Sequence, residues 1–130
     1  MIITRTVLTA LSALALAACA TTEQMYDGPE RARSEAALLI GMSPPDPVAA
    51  ANVPVAQIKS VDGRRVSGSG TRVEVLPGAH ELVVNCKRPG ANPTSDTYLL
   101  TVEAGMEYVV TVDPATGKCR FSEGKARKAD

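Results

Sequence analysis

From Val55 onward, apolar and polar residues alternate in short runs separated by glycine, proline and aspartate. Strand side chains point to opposite faces in turn, so a period of two predicts half-buried β-strands. "VAQIKSV" (55–61) is the first such run, and Asp62-Gly63 behind it is a hairpin signal that favours positive φ, with "RRVSG" as the return. "TRVEVL" (71–76) puts Val73 and Val75 on one face and Arg72 and Glu74 on the other. Pro77-Gly78 supplies the middle residues of a type II turn. "AHELVVNC" (79–86) then aligns His80, Leu82, Val84 and Cys86, and "KRPGANPTSD" (87–96) is rich in breakers and reads as a loop. "TYLLTVEAGMEYVVTV" (97–112) predicts two strands around Ala104-Gly105, with Tyr98, Leu100 and Val102 facing Met106, Tyr108, Val110 and Val112. After the tight connection "DPATG", "KCRFS" (118–122) brings Cys119 and Phe121 to one face.

Upstream, "SEAALLIG" (34–41) is too short for a stable helix and is read as a strand, and the four prolines of "MSPPDPVAAANVP" (42–54) make that segment a crossing. Six to eight short strands without an amphipathic helix predict an all-β fold, a small antiparallel β-sandwich over residues 35–122. Residues 19–34 are polar, hold a turn signal and read as a tether. Residues 123–130, "EGKARKAD", read as a charged flexible tail.

The first residues follow a different rule. "MIITRTVLTALSALALAACA" has Arg5 in a short leading region, an uncharged apolar run from Val7 to Leu16, and then small residues. Ten helical residues span about 15 Å, half the hydrocarbon core, so residues 1–18 read as a cleaved signal peptide rather than a membrane span. Leu16-Ala17-Ala18-Cys19 resembles the lipobox of bacterial lipoproteins. The resemblance implies a diacylglyceryl group on the Cys19 thiol, cleavage just before it, and anchoring of residues 19–130 at a membrane surface without any other cofactor. Ala20 in place of Asp resembles the outer-membrane sorting pattern, so the expected location is the outer membrane, facing the periplasm.

An exported location permits disulfides, and with Cys19 lipidated a single pairing remains among three cysteines, Cys86 with Cys119. The alternative is two buried thiols packed as small hydrophobes. The run from "VDGRRV" through "EVLPGAHELVV" to "TVEAGMEYVV" resembles small bacterial lipoproteins and PEGA-type surface modules. The likeness rests on Asp62-Gly63, Pro77-Gly78-Ala79-His80 and Gly105-Met106-Glu107-Tyr108. That resemblance, over residues 55–112, implies a small extracytoplasmic β-sandwich, a Gly-x-x-Tyr hairpin and no catalysis.

Charge narrows the function further. Fourteen basic and fourteen acidic residues give zero formal net charge, and the absence of Trp removes the usual stacking platform, so nucleic acid is not an expected partner. His80 is the only histidine and is expected to serve its turn rather than a metal. "SGSG" (67–70) lacks the lysine of a phosphate loop and reads as a turn or bulge. No catalytic residues are nominated. Arg64, Arg65, Arg72, Lys87 and Arg88 are the candidate anion-binding positions, with Lys118 and Arg120 beside the second cysteine. The expectation is a non-catalytic binding or assembly module of the cell envelope, partnered by the membrane and by an envelope protein or glycan. The alternative is a protein that binds envelope glycan or another anionic ligand through its basic surface.

Overall fold

Alternation becomes strand pairing in the computed structural model, which describes residues 22–44, 46, 48 and 51–128. The signal segment and Leu16, Ala17, Ala18 and Cys19 lie outside the described residues. In chain order the strands are β1 (Glu23–Gln24), β2 (Ala37–Ile40), β3 (Val55–Val61), β4 (Arg64–Arg65), β5 (Arg72–Val75), β6 (Gly78–Lys87), β7 (Thr94–Val102), β8 (Met106–Val112), β9 (Cys119–Phe121) and β10 (Lys125–Ala126). They form a four-stranded sheet, β4-β3-β6-β7, and a six-stranded sheet, β1-β5-β2-β8-β10, in which β9 also pairs with β8. Most pairs are antiparallel, but β1–β5 and β2–β8 run parallel. No helix among the described residues is long and apolar enough to cross a membrane.

The two inner faces supply the core. Ile58, Leu82, Val84 and Cys86 come from the four-stranded sheet, and Leu39, Val73, Val75 and Val110 from the six-stranded one, all essentially inaccessible to water. Each such aliphatic side chain contributes about 1.5–3 kcal/mol relative to exposure, so these residues dominate the stability. Tyr98 of β7 and Phe121 of β9 meet edge to face across the sandwich, with ring centroids 5.5 Å apart. Close by, the Cys86–Cys119 disulfide joins β6 to β9 and therefore one sheet to the other, with Cα atoms 5.8 Å apart.

Turn chemistry predicts some connections and misleads at others. Asp62 and Gly63 both take positive φ, 51° and 80°, and close the β3–β4 hairpin as expected. The segments around Ala104-Gly105 do not form a hairpin. β7 pairs with β6 along its whole length, whereas β8 lies between β2 and the β9/β10 edge. The same holds for Pro77-Gly78, which carries the chain from β5 in one sheet to β6 in the other. The predicted inward sets do face each other, but across the core rather than along a ladder. The loop expected at 87–96 shrinks to 88–93, because Thr94, Ser95 and Asp96 extend the ladder opposite Cys86, Asn85 and Val84.

A bulge shifts the β3–β6 register between Ile58 and Ser60, and the "SGSG" segment packs alongside it. The Ile58 amide donates to the Gly70 carbonyl. Gly70 has φ 70°, and a Cβ there would overlap the Ile58 carbonyl, so only glycine fits this approach. In the same segment the Ser67 and Gly68 amides donate to the Glu23 carboxylate.

Both chain ends correct the sequence expectation. Within the segment read as a tether, Glu23 and Gln24 add a parallel strand to β5, and Tyr26 is buried. Within the segment read as a flexible tail, Lys125 and Ala126 pair with Glu107 and Met106, and the Arg127 amide donates to the Gly105 carbonyl. Local composition favours disorder in both, but long-range partners on the sheet satisfy their backbone and charges.

Candidate functional site

The five basic positions nominated from sequence do not converge. Arg64 and Arg65 sit on β4, opposite Val61 and Ser60 at one end of β3, whereas Lys87 pairs with Val55 at the other end. Six strand residues separate the two ends by about 20 Å. Arg64 is exposed and bonds Asp27 at 3.2 Å. Arg88 is held by the Ala115 carbonyl at 3.1 Å, and Arg120 by Asp113 at 2.8 Å. Arg72 belongs to the other sheet, where it starts β5 opposite Ile40.

Arg72 does take part in a basic site, with partners the sequence did not nominate. On the outer face of the six-stranded sheet, Leu38 and Ile40 of β2 stand beside Glu107 and Val109 of β8, and beside Glu74 and Arg72 of β5. The N-terminal segment and the C-terminal tail fold over this face. They bring in Arg33, Arg127 and Lys128 and leave a groove of about 300 Å³ lined also by Leu38, Ile40, Arg72, Glu107 and Val109. The Arg33 guanidinium donates to the Lys128 carbonyl at 2.8 Å, which links the two segments where both line the groove.

A buried carboxylate anchors this roof. Glu74 is 5% exposed although it lies on the outward face of β5. One of its oxygens accepts from the Tyr26 hydroxyl at 2.5 Å and the other from Arg127 Nη1 at 3.0 Å. The Tyr26 hydroxyl in turn accepts from the Arg31 amide at 2.9 Å. Burial first, and the bond to Glu74 second, raise the Tyr26 pKa above the usual phenol value, which keeps the hydroxyl a donor. Arg127 also reaches the Ala36 carbonyl at 3.4 Å, but its Nε is buried without a partner. No sequence motif marks this triad, because its members stand 48 and 53 residues from Glu74.

His80 serves its hairpin. Nδ1 lies 2.6 Å from Asp62 Oδ2, and Nε2 lies 2.6 Å from the Leu76 carbonyl oxygen. The other Asp62 oxygen accepts from the Glu81 amide at 2.8 Å. The His80 bond, with a smaller contribution from that amide, holds the Asp62 carboxyl below the usual carboxylate range against a modest burial effect. A depressed carboxyl pKa stabilises the fold above the unfolded-state value, and the contribution disappears as pH falls through the folded-state value. Asp62→Asn, which tolerates positive φ, is expected to flatten that acid limb by at most about 1 kcal/mol, since the pair is partly solvated. Urea titrations across the acid range check this, and superimposable profiles of variant and wild type would remove the role assigned to Asp62. Among the described residues no group of three or more His, Cys, Asp or Glu is placed to hold a metal ion.

Fold and site together define a small all-β protein, two sheets joined by a disulfide, with a basic groove roofed by its own chain ends. No protein-family model, curated protein or solved structure matches the chain.

Proposed function

We propose that this protein is a lipid-anchored, non-catalytic module of the bacterial cell envelope, held to the outer membrane on its periplasmic side through diacylglyceryl-modified Cys19. The observation that carries the reading is the lipobox-like Leu16-Ala17-Ala18-Cys19 at the end of a short apolar run. The Cys86–Cys119 disulfide adds support, because such bonds persist in oxidising compartments and are rare in the cytosol. The sandwich then acts as a binding or assembly unit presented at the membrane surface.

The test is metabolic. Cells expressing the wild-type chain and fed a labelled fatty acid should yield a labelled protein, and Cys19→Ala should abolish the label and leave the uncleaved precursor. Equal labelling of both would overturn the anchor.

A further inference from the structure

We infer that the groove on the outer face of the six-stranded sheet holds the phosphate of an anionic phospholipid headgroup from the membrane to which Cys19 tethers the chain. The choice of a lipid as the source of that phosphate rests on the function proposed above. The phosphate chemistry rests on the groove itself.

Four of its lining residues are cations, Arg33, Arg72, Arg127 and Lys128, and the single acid among them is Glu107. The Arg127 side chain is only 7% exposed, and its Nε meets no acceptor. Among the described residues its charged partner is Glu74, which is already shared with Tyr26. The shared Glu74 leaves the positive charge of Arg127 only partly offset, and a phosphate entering the groove is drawn by that charge and meets Arg33, Arg72 and Lys128 along the same lining, with oxygens in the geometry that guanidinium favours. Leu38, Ile40 and Val109 form an apolar strip beside those charges, suited to the glycerol carbons and first methylenes of a lipid.

Position selects the source. Arg72 Nε donates to the Thr22 hydroxyl at 3.2 Å, and Thr22 follows Cys19 by three residues. Three residues reach at most about 11 Å, so a chain anchored at Cys19 carries the groove's Arg72 rim at headgroup depth. Neighbouring lipids are then present at high effective concentration, and basic residues at this depth are attracted by the negative surface potential.

The test uses the full protein purified from its membranes in neutral detergent and presented with mixed micelles of phosphatidylglycerol or phosphatidylcholine. Retained lipid is read by native mass spectrometry. Wild type should favour phosphatidylglycerol about tenfold, and Arg72→Gln/Lys128→Gln should abolish most of that preference. Arg64→Gln/Arg65→Gln, outside the groove, should retain it. Equal preference in all three proteins overturns the groove assignment. Saturable binding of inorganic phosphate without a preference between the lipids overturns the lipid source. Displacement of phosphatidylglycerol by a carboxylate-bearing glycan fragment, but not by glycerol phosphate, overturns the phosphate chemistry. The intact mass of the same sample reports lipid on Cys19 separately, so failure of the anchor and failure of the groove are distinguishable.

Discussion

Thermal unfolding of a Cys86→Ala/Cys119→Ala variant is expected roughly 15 °C below wild type, corresponding to a loss of about 3–4 kcal/mol. The bond spans 33 positions and joins the two sheets, so without it the unfolded chain regains the freedom of a long loop. The folded state should change little, because both cysteines are buried and alanine fits beneath the same aliphatic neighbours. Two further readouts separate this mechanism from simple cavity formation. The urea m-value should rise as the unfolded ensemble expands, and native-state reduction by dithiothreitol should be slow, because the sulfurs become accessible only on opening. An unchanged midpoint would mean that the sandwich does not depend on its inter-sheet bond.

What was legible in the sequence was what neighbours along the chain decide. Period-two alternation located β3 to the residue, and Asp62-Gly63 specified its turn, because both signals act within a few residues. The pairing of Cys86 with Cys119 was legible once Cys19 was set aside as the expected lipid anchor, together with the common direction of each of the two cysteines with its apolar neighbours. Partner choice between strands was not legible. Gly105 suits a hairpin and a corner between sheets equally well, and β8 is placed beside β2 by contacts almost seventy residues apart in sequence. Glu74 was the most misleading single residue. It occupies the outward position of an alternating strand, where a charged side chain ordinarily meets water, and only the arrival of Tyr26 and Arg127 from the two ends of the chain buries it. The groove was missed for the same reason. Of its cations, Arg33 lay in the presumed tether and Arg127 and Lys128 in the presumed tail.

Glu74→Gln is expected to cost about 3–5 kcal/mol, because it removes the carboxylate that pairs with a nine-tenths buried arginine. The neutral amide still has a hydrogen-bonding oxygen for Tyr26 or Arg127, but not two carboxylate oxygens for both. A Tyr26→Phe/Glu74→Leu/Arg127→Met triple variant should regain most of that stability, since the three apolar side chains carry no desolvation penalty and leave no hydroxyl or guanidinium of the triad without a partner. Hydrogen exchange then locates the damage. The Met25 amide bonds the Glu74 carbonyl and the Arg127 amide bonds the Gly105 carbonyl, so both should lose protection in Glu74→Gln while the β6–β7 ladder keeps its own. A cost below about 1 kcal/mol, the range of exposed ion pairs, would show that the triad does not clamp the termini. For a chain anchored at Cys19 the clamp also sets distance. With β1 docked, the four residues from Cys19 to Glu23 span at most about 14 Å, whereas release of the segment up to β2 at Ala37 allows about 60 Å. The same substitution should therefore raise the domain away from the bilayer and weaken the groove's hold on phosphatidylglycerol, although Glu74 itself is covered by Tyr26 and Arg127.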